Sequence, residues 1–150
     1  MKRKPYVSIY TDGSCDGNPG SGGFAVILKA NRVYREIVGK VPHSTNNRME
    51  LEAVIRGLSE VKPNSNVTVF CDSQYVVGAV NEGRLQQWQE NGWRRIRTGE
   101  PVRNADQLVV LSKTIKDGNL SVRFVKIAAH RGHYFNNRAD YLAKKAAQSA

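Results

Sequence analysis

The apolar residues of this chain change their spacing along the sequence, and the order of those changes restricts the fold more than any single residue does. Residues 6–12 alternate between apolar and polar side chains, as a half-buried strand does, and residues 23–30 and 33–41 predict two further strands. The intervening residues 13–23 are rich in glycine and other turn formers. Three consecutive strands with short connections predict an antiparallel meander at the start of the chain.

Helical spacing begins after this meander, and helices and strands then alternate. A helical pattern starts at Asn47 and ends before Pro63. Residues 67–72 form a nearly continuous apolar run, typical of a buried strand, and a second helix is predicted from Ser73. The remaining predicted elements are a helix over residues 105–116, a strand over 120–127 and a helix over 136–148. This order predicts one α/β domain over residues 1–150, with helices packed on a mixed sheet.

Four acidic residues stand at the ends of predicted strands or on predicted helices, in a chain whose net charge is +10. They are Asp12, Glu50, Asp72 and Asp140. Carboxylates are the hard oxygen ligands that Mg²⁺ prefers. Two such ions about 3.5–4 Å apart would stabilise both the attacking and the leaving oxygen of a phosphoryl displacement. An acidic cluster in a basic protein therefore predicts divalent cations held against a polyanion such as nucleic acid.

Each of these carboxylates also has an explanation that involves no chemistry. Asp12 fits a turn, Glu50 fits a capping box with Asn47, Asp72 fits a helix N-cap, and Asp140 fits an ion pair along its helix. Spacing along the chain does not bring the four together, so both interpretations stay open at this point.

The cysteines and the apolar runs of the sequence indicate in which cellular compartment the protein works. Cys15 and Cys71 form no C-x-x-C pair, which predicts reduced thiols in the cytoplasm. The longest purely apolar run, residues 24–28, is far shorter than a signal-peptide core or a membrane span. We therefore expect a cytoplasmic monomer that needs no membrane and no obligate protein partner.

Specific motifs occur in four blocks of the sequence. The blocks are Thr11-Asp12-Gly13-Ser14 with Gly17-Asn18-Pro19-Gly20, Thr45-Asn46-Asn47-Arg48-Met49-Glu50, Asp72-Ser73-Gln74-Tyr75, and His130-x-Gly132-His133 with Asn137-x-x-Asp140. In this order they closely resemble type 1 ribonuclease H over essentially the whole chain. The resemblance implies the ribonuclease H-like fold, a five-stranded mixed sheet in the order 3-2-1-4-5 with helices on both faces. It also implies endonucleolytic hydrolysis of the RNA strand of RNA/DNA hybrids, leaving 5′-phosphate and 3′-hydroxyl ends.

The resemblance further implies roles for individual residues. Asp12, Glu50, Asp72 and Asp140 would bind two Mg²⁺ ions per active site, with Mn²⁺ as a substitute, and His130 would assist proton transfer or product release. The expected contacts with the hybrid are Asn18, Asn46, Asn47 and Gln74 in the minor groove, Thr45 and Asn104 at a DNA phosphate, and Trp93, Arg94 and Arg95 on a basic protrusion. Amide side chains both donate and accept, so they can bind 2′-hydroxyls without selecting a sequence.

Three departures from the family pattern carry expectations of their own. His43 stands where relatives often have arginine, which predicts a weaker and more pH-dependent grip on the DNA strand. The segment before His130 is longer than in familiar bacterial members. The resemblance therefore implies a catalytic role less firmly for His130 than for the four carboxylates. Gln107-Leu108 replaces a Leu-Trp pair, and Tyr134 or Phe135 would then supply the missing core aromatic.

Two other functions fit parts of the same pattern. A DNA nuclease or resolvase with a ribonuclease H-like fold would use a related acidic site, although the asparagine-rich block and Gln74 argue against it. A non-catalytic hybrid-binding module would gain by losing the four carboxylates, whereas all four are present. Hybrid cleavage is therefore the favoured function.

Overall fold

The computed structural model describes residues 5–81, 83–128 and 133–149. Its strands are β1 (Tyr6–Asp16), β2 (Gly20–Ala30), β3 (Val33–Ser44), β4 (Asn66–Cys71) and β5 (Ser121–Lys126). Its helices are α1 (Asn46–Ser59), α2 (Gln74–Asn81), α3 (Arg84–Glu90), α4 (Ala105–Asp117) and α5 (Tyr134–Ser149). Among these residues, no helix combines the length and apolar character needed to span a membrane.

The strands form one five-stranded sheet in the order β3-β2-β1-β4-β5. The first three strands are antiparallel neighbours, whereas β4 pairs in parallel with β1 and β5 pairs in parallel with β4. Both the meander and the mixed sheet in the order 3-2-1-4-5 are thereby confirmed. The central strand β1 lies between the antiparallel and the parallel half of the sheet, and it carries Asp12.

Successive side chains of each strand pack into two different cores, one on each face of the sheet. Ile9 and Val26 lie in the main core, which also contains Leu58 of α1 and Leu108 of α4. The intervening residues face α5, where a smaller core is made by Ala25, Ile27, Ala139 and Ala143. Because successive strand residues point to opposite sides, the helices cover both faces, as predicted.

Strands β1 and β2 are longer than predicted. Residues 13–16, expected to belong to a turn region, pair with residues 21–24 across the sheet, and Cys15 lies opposite Gly22. Gly17 has φ of 85° and lies in the turn, whereas Gly23 serves close helix packing, since a Cβ there would lie 2.3 Å from the Ala143 carbonyl oxygen on α5. The small residues therefore let α5 lie directly on the sheet.

The expected replacement for a missing core aromatic is wrong. Leu108 is fully buried in the main core, and the adjacent Gln107 is buried between α1 and α4. The Nε2 of Gln107 donates to the Arg48 carbonyl oxygen at 2.9 Å. Phe135 lies against Tyr10 on the opposite face of the sheet, so hydrogen bonds from Gln107, not an aromatic ring, join α1 to α4 here.

Candidate metal centre and nucleic-acid interface

Three of the predicted carboxylates converge at one edge of the sheet. Carboxylate oxygens of Asp12, Glu50 and Asp72 all lie within 4.8 Å of one another. Asp12 comes from β1, Glu50 from the second turn of α1, and Asp72 directly follows β4. Asp140 of α5 lies beside Asp12, where, besides burial, it helps to raise the pKa of Asp12, and its Oδ2 also pairs with Lys144 Nζ at 3.1 Å along the helix, as the alternative explanation predicted. We refer to these four residues as the acidic cluster.

A glycine makes this convergence possible. A Cβ at Gly13 would lie 2.3 Å from the backbone nitrogen of Glu50, so the backbones of β1 and α1 are in direct contact at this point. The Gly13 N–H also donates to Asp12 Oδ1 at 2.9 Å and fixes that carboxylate. The absence of a side chain at position 13 therefore brings Glu50 beside Asp12.

The start of α1 removes the alternative explanation for Glu50. The N-cap is Thr45, whose Oγ1 accepts a hydrogen bond from the Arg48 N–H at 3.3 Å. A capping box between Asn47 and Glu50 is therefore absent, and Glu50 lies in the second turn of the helix instead of the first. Its carboxylate turns towards Asp12 rather than towards the helix end.

Burial and mutual repulsion dominate the electrostatics of the cluster. Asp12 is 4% exposed and Glu50 is 8% exposed. Burial first, and then the negative charge of Glu50, raises the pKa of Asp12, while burial raises the pKa of Glu50. Glu50 Oε2 is buried without a hydrogen-bond partner among the described residues. A buried carboxylate oxygen without a donor is costly, and a hard divalent cation would supply the missing charge.

Stability should depend on pH and on divalent metal together. Because the folded pKa values of Asp12 and Glu50 are raised, the folded protein keeps protons that the unfolded chain has released, and stability falls as pH rises above the unfolded values. Thermal unfolding with chelator should give a lower Tm at pH 8 than at pH 5.5. Saturating Mg²⁺ should raise the Tm by roughly 4–8 °C at pH 8 and by less at pH 5.5. An equal increase at both values would contradict this account of the cluster.

Two predicted groove residues connect the β1–β2 turn to the start of α1. The Asn46 N–H donates to Asn18 Oδ1 at 3.1 Å, and Asn46 Oδ1 accepts from the Cys15 N–H at 3.0 Å. Both side chains are exposed. Because their side-chain oxygens accept hydrogen bonds within the protein, a contact of these residues with a ligand would use the amide NH₂ groups as donors.

A cavity of about 590 Å³ gathers five of the predicted substrate residues. We call it the α1–α4 cavity, and its lining consists of Asn18, Pro19, Thr45, Asn46, Asn47, Arg103 and Asn104. Asn104 has a left-handed backbone with φ of 60°. Its Oδ1 accepts from Arg48 at 3.3 Å and its Nδ2 donates to the Tyr75 hydroxyl at 3.2 Å. The structure therefore brings the predicted phosphate pair, Thr45 and Asn104, to one concave site.

A second groove of about 780 Å³ adjoins the first, because Asn47 and Arg103 line both. We call it the protrusion groove, and its lining includes Asn47, Tyr75, Trp88, Arg95, Arg97 and Arg103. Gln74 is exposed at the first residue of α2. The two cavities form one surface beside the N-terminal part of α1.

Other residues predicted for the protrusion have structural roles. Trp88 and Trp93 are partly buried and pack against the main core. Arg94 Nη1 donates to the Gly99 carbonyl oxygen at 2.8 Å. Of Trp93, Arg94 and Arg95, Arg95 is therefore the one that lines the protrusion groove, while Trp93 packs against the main core and Arg94 binds the Gly99 carbonyl oxygen.

The positions of two histidines and one arginine remain to be compared with the roles that the sequence predicts. His130 lies outside the described residues. His43 is exposed and is not among the residues lining either cavity. Arg48 belongs to the 45–50 block but not to the predicted site residues, and its guanidinium contacts both Asn104 and Asp106.

Comparison with known protein families gives a match over nearly the whole chain. The family model for RNase H matches residues 4–148. A ribonuclease H of Chlorobium phaeobacteroides (strain BS1) is 43% identical over 146 residues, which are 97% of each chain. A ribonuclease H of Pseudomonas fluorescens is 42% identical over 139 residues, covering 93% of this chain and 90% of that protein.

Solved structures show the same fold. LC9-RNase H1, described as a type 1 RNase H with the type 2 active-site motif, superposes with a TM-score of 0.75 at 27% identity. That match covers 99% of this chain and 75% of the other. LC11-RNase H1, solved in complex with an RNA/DNA hybrid, gives a TM-score of 0.73 at 22% identity over 95% of this chain and 97% of the other.

Proposed function

Because this chain belongs to the ribonuclease H family, we propose that it hydrolyses the RNA strand of RNA/DNA hybrids at the acidic cluster. The observation that supports this site best is the convergence of Asp12, Glu50 and Asp72 within 4.8 Å from three distant segments of chain. Isolated structural carboxylates, each serving its own turn or cap, have no reason to meet. The products would carry 5′-phosphate and 3′-hydroxyl ends.

We further propose that the acidic cluster holds two Mg²⁺ ions, with Mn²⁺ able to substitute. When bound, such ions lower the pKa of an attacking water and stabilise the charge that develops on the leaving oxygen. Asp12 and Glu50 are buried and would fix the position of the ligands. Asp72 and Asp140 are partly exposed and would lie on the side open to the scissile phosphate. His130 would move a proton or help product leave.

The surface beside the cluster is suited to a hybrid duplex. Amide groups of Asn18, Asn46, Asn47 and Gln74 would contact the minor groove, which makes cleavage tolerant of sequence. Thr45 and Asn104 would hold a phosphate of the DNA strand in the α1–α4 cavity, positioning the duplex without reading bases. The arginines of the protrusion groove would add salt-dependent affinity.

The working form follows from the same features. We propose that residues 1–150 act as one catalytic domain in the cytoplasm, as a monomer without an obligate protein partner. The acidic cluster combines residues from β1, α1, the end of β4 and α5 of a single chain. A second copy is therefore not needed to complete the site.

One experiment tests the reaction directly. End-labelled RNA/DNA, RNA/RNA and DNA/DNA duplexes of one sequence are incubated with the protein, with Mg²⁺ and with chelator, and Asp72→Asn serves as the site variant. We expect Mg²⁺-dependent cleavage of the hybrid's RNA strand only, and its loss in the variant. Comparable cutting of DNA/DNA would instead favour a resolvase-like nuclease, and binding of hybrid without any cutting would favour a non-catalytic module.

A further inference from the structure

The α1–α4 cavity is built from uncharged donors and a single charged side chain. Among the described residues that line it, Arg103 is the only one with a formal charge. A phosphate group bound there would be held mainly by amide and hydroxyl groups unless Arg103 took part. A charged donor gives a shorter and roughly twice as strong hydrogen bond to phosphate as a neutral one.

Arg48 is a second cation near this cavity, but its charge is already paired. Its Nη1 and Nη2 bind the two carboxylate oxygens of Asp106 at 3.0 Å and 2.7 Å. The same Nη1 also donates to Asn104 Oδ1 at 3.3 Å. The pair with Asp106 raises the pKa of Arg48. Arg48 therefore fixes the Asn104 side chain. The edge of its guanidinium that could bind a phosphate through two nitrogens is occupied by Asp106.

The Tyr75 hydroxyl links the backbone of Arg103 to the side chain of Asn104. The Tyr75 hydroxyl donates to the Arg103 carbonyl oxygen at 3.4 Å and accepts from Asn104 Nδ2 at 3.2 Å. Asn104 itself has the left-handed conformation that turns the chain into α4. The Arg103 side chain is exposed and lines both the α1–α4 cavity and the protrusion groove. It thus stands where the two parts of the surface meet.

We propose that Arg103 is the cation that binds the DNA-strand phosphate in the α1–α4 cavity, in place of a cation at position 43. The proposal rests on the proposed function, and it adds the residue that supplies the charge. Because arginine remains protonated across the physiological range, the grip on this phosphate is independent of pH between 6 and 8. The pH dependence expected from His43 is then absent.

The test combines a side-chain change with a change in the substrate. RNA/DNA hybrids carry one neutral methylphosphonate, moved stepwise along the DNA strand, and KM and kcat are measured for wild type, Arg103→Gln, Arg103→Lys and His43→Gln. Arg123→Gln is the matched control, since Arg123 is an exposed arginine on the edge strand β5. The protein remains full-length in every case.

Arg103→Gln should raise KM about tenfold on the unmodified hybrid, the effect of losing one charged hydrogen bond. Its kcat should change less than about twofold, and the slope of log affinity against log salt should fall by about one. In wild type one methylphosphonate position should raise KM similarly, and that position should have no further effect in Arg103→Gln. Arg103→Lys should restore part of the affinity, and Arg123→Gln should behave as wild type.

Two outcomes would overturn the assignment. Sensitivity to the methylphosphonate that persists in Arg103→Gln and disappears in His43→Gln would assign the phosphate to His43. Sensitivity that persists in both would show that neither cation binds it. Equilibrium binding of the same hybrids in the presence of chelator gives this comparison without cleavage, so failure of the Arg103 assignment is distinguishable from failure of the hydrolytic function.

Discussion

Replacing Asp12 with asparagine is expected to change activity and stability in opposite directions. Hydrolysis of the hybrid should fall at least about a thousandfold, because a lost metal ligand removes several kcal/mol of transition-state stabilisation. The metal-free protein should become more stable at pH 8, by roughly 1–2 kcal/mol, since one pKa unit corresponds to about 1.4 kcal/mol. Asparagine is neutral at every pH, whereas Asp12 must take up a proton to be buried beside Glu50 because its pKa is raised to about 10, and the amide oxygen can still accept from the Gly13 N–H.

The measurement pairs single-turnover cleavage with chemical denaturation in chelator at pH 8. Asp16→Asn is the matched control, because Asp16 is an exposed residue at the end of the same strand. That control should retain activity and stability close to those of wild type. If Asp12→Asn lost stability in chelator, the carboxylate would be a structural partner rather than a strained ligand, and if it kept its activity, the acidic cluster would not be the catalytic site.

Adding one methyl group at Gly13 should damage both the fold and the site. The new Cβ of Gly13→Ala would lie 2.3 Å from the Glu50 nitrogen and 2.3 Å from the Met49 carbonyl carbon, so α1 must move away from β1. Forced overpacking of this kind costs about 3 kcal/mol. Displacing Glu50 by a fraction of its distance to Asp12 should lower kcat about a hundredfold, since an error near 1 Å has that effect.

The same chemical change at Gly118 provides the control. A Cβ there would meet Leu120 Cγ at 3.1 Å and the Thr114 carbonyl oxygen at 3.2 Å, and a shift of a few tenths of an ångström at the end of α4 would relieve both contacts. Gly118→Ala should therefore change stability by less than about 1 kcal/mol and leave kcat unaltered. The increase of Tm with Mg²⁺ should shrink in Gly13→Ala and persist in Gly118→Ala. Equal effects of the two substitutions would mean that the contact between β1 and α1 does not shape the acidic cluster.

The strand and helix order could be predicted because apolar periodicity records which side of each element is buried. The ends of β1 and β2 could not be predicted in the same way. Glycines at 13, 22 and 23 have the composition of a turn, and only the positions of α1 and α5 explain why those residues are paired strand. Propensity at Gly13 and Gly23 is thus overridden by packing between elements that are distant in sequence.

The site was predictable to different extents for different residues. The carboxylates lie in recognisable blocks and at strand ends, so Asp12, Glu50 and Asp72 could be identified before their distances were known. The bonds from Arg48 to Asn104 and Asp106 span 56 and 58 residues and depend on how α1 packs against α4. A basic, aromatic stretch does not reveal which side chains turn inwards, so the sequence alone does not decide between core packing and substrate contact for Trp93, which packs against the main core.

The distribution of the acidic cluster over the chain has a consequence during protein synthesis. Its residues emerge from the ribosome in the order Asp12, Glu50, Asp72 and Asp140, and the last is carried by α5. A nascent chain that has not yet completed α5 lacks the carboxylate of Asp140. Ala25 and Ile27 are then not yet covered by the alanines of α5. The acidic cluster is therefore completed only after α5, the last helix of the chain, has been synthesised and has packed on the sheet.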